Sequence, residues 1–279
     1  MLRVLRFLQT VDRRFLYALL MLVVVTPFFI NFQLPARVST ATRRLYDTIE
    51  SLPEGSFVLL GVDWGAGTRG ESRPHTEALI HHLMRKRLRF ALLAFDPQGK
   101  KLAQNIALRL QEQYGYREGV HWVNFGYKVD QENYLKAFGP DIIGTVKQDI
   151  HGNPLGQLEV MKGIKNANDI ALLLDVTGSS TYETYIQFLQ GPYKLKMGLG
   201  TTSVMAPEAF NRLDAGQLVG LIPGLAGATE YERLLGIPGK GTRATNSSNA
   251  AHLLVITFIL LGNLAMVMER RLRAQGGAL

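Results

Sequence analysis

The 279-residue sequence contains no cysteine. Disulfides, thiolate nucleophiles and Cys-ligated metals are therefore excluded. Other chemical signatures are missing as well. No Gly-Lys-Ser/Thr closes a P-loop, no H-E-x-x-H or comparable spacing arises among the six histidines, and no G-x-S-x-G elbow supports a Ser–His–Asp system. His75 falls at a predicted helix start, while His81 and His82, beside Arg85 and Lys86, read as a solvated helix face. Internal repeats and low-complexity tracts are also lacking, which leaves an ordinary globular middle.

Charge is missing from two long stretches. Phe15–Phe32 is apolar apart from Tyr17, Thr26 and Asn31, and Ala250–Met268 is likewise uncharged. At 1.5 Å per helical residue, about 18–20 residues cross a hydrocarbon core of roughly 30 Å. Both runs are expected to span a membrane. A cleaved signal peptide is the competing reading of the first, with a small-residue site at Ser39-Thr40-Ala41. Its length exceeds the usual apolar region of about 7–15 residues and favours a retained anchor.

The formal net charge of +8 invites a nucleic-acid reading, but its distribution argues against one. Arg3, Arg6, Arg13 and Arg14 precede the first run, and Arg270, Arg271 and Arg273 follow the second. The remaining 24 basic and 21 acidic residues are nearly balanced, so no domain-wide basic footprint is left. Basic tails beside both spans place both termini in the cytoplasm and the middle outside. Arg37, Arg43 and Arg44 soften that contrast but lead into a long domain, where charge steers topology less. The expected division is a tail over 1–14, a span over 15–33, a stalk over 34–55, an α/β domain over 56–213, a Gly-rich helical segment and linker over 214–248, a span over 249–268 and a tail over 269–279.

Within the middle, continuously apolar runs alternate with amphipathic ones. Strands are predicted over Phe57–Val62, Phe90–Phe95, Val120–Phe125, Ile170–Leu174 and Lys194–Leu199. Helices are predicted over Pro74–Lys86, Lys101–Tyr114, Gln131–Phe138, Leu158–Ile164, Thr181–Leu189 and Ala206–Leu213, while Ile142–Val146 admits either state. Strands that do not alternate need a sheet covered on both faces, and helices between them imply βαβ crossovers. The fold class is α/β, an open doubly wound, mostly parallel sheet of about five strands.

In such sheets ligands bind beyond the carboxyl ends of the strands. Asp63, Asp96 and Asp175 end three of the predicted strands, and Thr201 and Thr202 follow another. After the first strand, Trp64, Gly65, Gly67 and Thr68 lie on a glycine-rich loop that offers backbone N–H groups to an anion. Gly65, Gly67 and Gly70 complete G-x-G-x-x-G only if the helix begins at once, and Pro74 suggests a later start. Asp175, Thr177 and Ser179 superficially resemble the D-x-S-x-S metal motif of von Willebrand A-type domains, which follows the first strand there and carries Ser in the middle. The simpler reading is that Ser179, Ser180 or Thr181 caps the next helix. No metal or other cofactor is implied.

Gly216, Gly220 and Gly224 fall four apart before the second span. In a helix they would line one side and admit a second backbone, with Pro223 kinking it. Asn263, deep in the second span, wants a polar partner from another helix. These four residues are candidate interface positions. The stretch from Gly216-Gln217-Leu218 through Gly227-Ala228-Thr229-Glu230-Tyr231-Glu232, followed by Pro238-Gly239-Lys240-Gly241-Thr242-Arg243, resembles uncharacterised bacterial two-span membrane proteins over about the last sixty residues. The resemblance implies a bacterial origin and brings no activity with it.

On the expected topology the two short tails would leave no cytoplasmic effector. The expected function is a non-enzymatic, extracytoplasmic ligand- or partner-binding module acting in a homo-oligomer or with other membrane subunits, without nucleic acid. The alternative is an anchored hydrolase or transferase with a carboxylate-lined site.

Overall fold

A computed structural model describes residues 12–30, 37–237 and 239–275. The chain divides into two units, Ala36–Gly241 and the pair of terminal segments Met1–Pro35 and Thr242–Leu279.

In the terminal unit, helix α1 covers Arg13–Val25 and is capped by Asp12, whose side chain accepts the Arg14 N–H. The helix then tightens into a 3₁₀ turn over Thr26–Phe28. Pro27 lacks an N–H, and the Thr26 hydroxyl bonds back to the Leu22 carbonyl at 2.7 Å, so the α-ladder ends here. This corrects the uninterrupted span expected over 15–33. α1 has 13 residues, and residues 31–33 lie outside the described residues. The tails 1–11 and 276–279 also lie outside them. Among the described residues one helix, in Lys240–Arg271, is long and apolar enough to cross a membrane. Ser247 on that helix donates to the Val24 carbonyl at 2.7 Å.

The larger unit is built on six strands, β1 (Phe57–Asp63), β2 (Arg89–Ala94), β3 (Trp122–Tyr127), β4 (Leu172–Thr177), β5 (Met197–Thr201) and β6 (Gly220–Pro223). Every pairing is parallel, in the order β3-β2-β1-β4-β5-β6. That is the order of the Rossmann fold, with the reversal between β1 and β4. The continuous apolar runs reflect burial on both faces. Val58, Leu60, Val62, Leu172, Leu174 and Phe90 face one side. It is covered by α2 (Thr40–Glu50), α3 (Arg69–Arg85), α4 (Gly99–Tyr114) and α10 (Gly224–Leu235). Phe57, Leu59, Ala91, Leu93, Leu173 and Leu199 face the other. There lie α5 (Gln131–Phe138), α6 (Ile142–Val146), α7 (Thr181–Tyr185) and α9 (Ala206–Asp214). A π-turn over Ile186–Gln190 joins α7 to the short α8 (Gly191–Tyr193). The last helix, α11, runs from Lys240 to Gln275.

Several expectations change. Arg37–Leu52, which the spacing of Leu45, Ile49 and Leu52 reads as a short helix or stalk, does hold a helix, α2, but it packs into the domain with Leu45 and Ile49 fully buried. α2 is tied down by the Thr42 hydroxyl on the Leu221 carbonyl and by the Ser39 hydroxyl on Glu230. Leu158–Ile164 is not an α-helix but contains the 3₁₀ turn Glu159–Met161. His82 is not solvated. Its ring is buried between Glu50 at 3.0 Å and the Tyr231 hydroxyl at 2.6 Å, and it stacks on Tyr46.

The glycine-spaced stretch is not one helix. Gly216 sits in a turn at φ +73°, Gly220 begins β6, and Gly224 opens α10 at φ +57°. A side chain at Gly220 would meet the Leu45 backbone nitrogen at 2.3 Å. The bare backbone there therefore admits α2, within the same domain. Asn263 is exposed on α11.

Candidate functional site

The reversal between β1 and β4 brings the predicted residues to one edge. Register places Gly61 opposite Asp175, Asp63 opposite Thr177, and Thr177 opposite Thr201. Since side chains alternate along a strand, Asp63, Asp175, Thr177 and Thr201 share the face covered by α5 and α7. Asp63 is 4% exposed and Asp175 is fully buried.

One oxygen of the Asp63 carboxylate accepts the Phe95 N–H at 2.5 Å, and its Oδ2 lacks a partner. Neither Asp175 oxygen is hydrogen-bonded, and among the described residues no basic side chain pairs with either acid. The Tyr185 ring lies above them, T-shaped against Phe95 at 5.8 Å. Its hydroxyl is buried without a partner, as are those of Tyr134, Tyr182 and Thr201. A side chain at Gly61 would meet Asp175 Oδ1 at 2.7 Å and the Tyr185 hydroxyl at 2.9 Å. Gly61 is the vacancy into which the acid and the phenol fit.

Burial pushes the Asp63 carboxyl up to about 7, and the Asp96 charge adds to this. The Phe95 N–H, bonded to the carboxylate, opposes the rise without reversing it. Burial and then the Asp63 charge push Asp175 well above the usual carboxylate range. Two buried carboxyls in contact with no cation cannot both ionise cheaply, so the pair holds a proton at neutral pH. Burial likewise raises Tyr185, which stays a neutral phenol.

The loops above the pair are knitted by hydroxyls. Thr177 Oγ1 donates to the Asp63 carbonyl at 3.1 Å, and accepts from the Ser179 N–H at 3.0 Å and the Thr181 hydroxyl at 2.8 Å. The expected cap is therefore absent, because Ser180 at the N-terminus of α7 makes no side-chain bond to the helix. The D-x-T-x-S residues do not converge on a metal either. Asp175 turns into the core, Thr177 ties the loops and Ser179 is exposed. Among the described residues no three His, Asp or Glu side chains gather in a metal-holding group.

The remaining candidates separate into packing and rim. Trp64 is 1% exposed and its Nε1 donates to Thr76 at 2.9 Å, so it fills the core beneath α3. Asp96 accepts the N–H groups of Gln98 and Gly99 and starts α4. Gly65 lies against Asp96, and Thr202 is buried near Gly178 and Thr68. Gly67 has nothing within 4 Å of an added side chain. Helix α3 begins at Arg69, ahead of Pro74, so the G-x-G-x-x-G spacing does open into a helix. Gly70 nevertheless makes no close helix–strand contact, the usual purpose of a third glycine. Ala66, Gly67, Arg69, Gly70, Ser179 and Ser203 form an exposed rim.

Residue types alone did not point to Tyr185, Tyr134 or His75. His75 lies inside α3, not at its start, and is buried with Nε2 2.7 Å from the Gly224 carbonyl. Burial lowers it to about 4, so it is neutral and donates from Nε2. The one available signal was Gly61, a lone glycine inside an apolar strand, which marks close approach by another group.

No protein-family model matches the sequence, and no curated protein does. Among solved structures, a trehalose-6-phosphate synthase aligns at a TM-score of 0.35 and 10% identity, over 88% of this chain and 49% of that one. The chain thus spans about half the length of that enzyme. An O-ureido-L-serine synthase variant aligns at a TM-score of 0.19 and 15% identity, over 77% of this chain and 75% of that one. At these scores neither likeness speaks to chemistry.

Proposed function

We propose that the chain is a membrane-anchored α/β module that binds a ligand or partner at the carboxyl edge of its sheet and performs no chemistry itself. The reading rests on the burial of Asp63 and Asp175, 4% and 0% exposed beneath Tyr185. The carboxyls suited to catalysis are closed off, while the rim residues Ala66, Gly67, Arg69, Gly70, Ser179 and Ser203 are exposed. The apolar segments at both ends form the anchor, with both termini in the cytoplasm and residues 36–241 on the outer face of a bacterial inner membrane. The module works in a homo-oligomer or with other membrane subunits, for which Asn263 is a contact candidate.

Native mass spectrometry of the detergent-solubilised chain tests this. A co-purifying mass or oligomer is expected in wild type, lost on Gly67→Tyr at the open rim and retained in Asp63→Asn/Asp175→Asn. The opposite pattern, with the double variant folded, overturns the binding reading. It would favour an anchored hydrolase or transferase, which the Asp63 value near 7 suits as a general acid or base.

A further inference from the structure

The amino edge of the sheet, opposite the site above, carries a cavity of about 480 Å³. Its polar lining is Glu54, Arg87, Arg89, His121, Glu159 and Lys162. Among the described residues none of these six forms an ion pair with another of them. Three cationic groups and two carboxylates therefore share a space of ligand size, unpaired with one another and with a net charge of one positive unit.

Two of the cations are held in place. Arg89 donates through Nε to the Gly55 carbonyl at 2.9 Å, and through Nη1 to those of Val160 at 2.9 Å and Lys162 at 2.8 Å. Its Nη2 has no protein partner among the described residues. Arg87 has φ +54°, a left-handed conformation that favours glycine just past a helix end. One of its N–H groups bonds to the Tyr114 carbonyl at 2.9 Å, and the rest of the fork is available. His121 accepts the Arg117 N–H at Nδ1, which leaves Nε2 as a donor, and its ring packs on Tyr116 at 4.9 Å.

We infer that this cavity binds a small soluble phosphomonoester. A phosphomonoester carries about −1.5 to −2 charge at pH 7, which suits the two guanidiniums and the Lys162 ammonium. The Tyr116–His121 ring pair flanks the organic part, and Glu54 and Glu159 accept its hydroxyls.

Calorimetry of the full chain in mild detergent, with AMP as probe and adenosine as control, tests the assignment. AMP is expected to bind with Kd below about 1 mM, more weakly as salt rises, while adenosine does not bind. Arg87→Gly is expected to keep at least the wild-type Tm and weaken AMP by about tenfold or more, the loss of a charge-assisted contact. Lys162→Met, at an exposed position, should weaken AMP severalfold with Tm unchanged. Failure of folded wild-type protein to bind AMP at about 1 mM overturns the inference. So does adenosine binding as tightly as AMP, or wild-type affinity in both variants.

Discussion

Asp63 and Asp175 meet because parallel register sets Gly61 opposite Asp175, and a glycine there leaves room for the acid and for Tyr185. The folded chain holds a proton on this pair that the unfolded chain gives up. The sign follows from Asp63, raised from 3.8 to about 7. Below about pH 4 both states are protonated and the burial is harmless. Between about pH 4 and 7 the unfolded state loses its proton first, so stability falls as pH rises through the Asp63 range, and the raised Asp175 carboxyl acts in the same direction. The Asp63 carboxyl alone accounts for something on the order of 4 kcal/mol, from about three pKa units at 1.36 kcal/mol each. Asp63→Asn/Asp175→Asn is expected to remove this decline. Urea unfolding from pH 4 to 8, followed by Trp64 and Trp122 fluorescence, reads it directly. A double variant that keeps the wild-type slope would place the proton elsewhere.

Glycines decide which elements come close. Gly220 lets α2 lie on the edge strand β6, where an added Cβ would fall 2.3 Å from the Leu45 nitrogen and 2.6 Å from its Cα. Gly220→Ala is expected to destabilise by roughly 1–3 kcal/mol, the usual cost of overpacking, because the obstacle is backbone and cannot rotate away. Gly70, exposed in α3 with nothing within 4 Å, is the control. Gly70→Ala should stabilise by up to about 1 kcal/mol through helix propensity and unfolded-state entropy. Equal effects in thermal unfolding would show that the α2–β6 contact is looser than described. The π-turn at Ile186–Gln190, directly after Tyr185, belongs to the same scale, since such turns are frequent at functional sites.

At the scale of the molecule, the proposed arrangement is an outer domain between two membrane segments whose polypeptide returns to the cytoplasm. Alkaline phosphatase, which folds only outside the cytoplasm, tests it. Activity is expected after the exposed turn residue Gly152 and not after Leu279. Activity after Leu279 would reverse the topology and remove the basis for an outward-facing module. The first segment is the weaker half of the proposed anchor. Its α-helix stops at Val25 before the Pro27 turn, whereas Lys240–Arg271 is long enough without interruption.

The doubly wound class, five of the six strands and the gathering of Asp63, Asp175, Thr177 and Thr201 at one edge were legible in the amino-acid order. Continuous apolar runs ending in Asp or Thr signal parallel strands buried on both faces, and this is a local property. The sixth strand was not legible, since Gly220–Pro223 is only four residues long and its glycine spacing imitates a helix face. Nor were the inward turn of Asp175, the phenols above it, the burial of His82 or the packing of α2. Each of these depends on which distant segment fills the space beside a residue. The sequence alone determined where chain could be buried. Tertiary contact decided what each buried polar group would meet, because desolvation and partner choice act between residues brought together by the fold, as Asp63 meets Asp175 and His82 meets Tyr231.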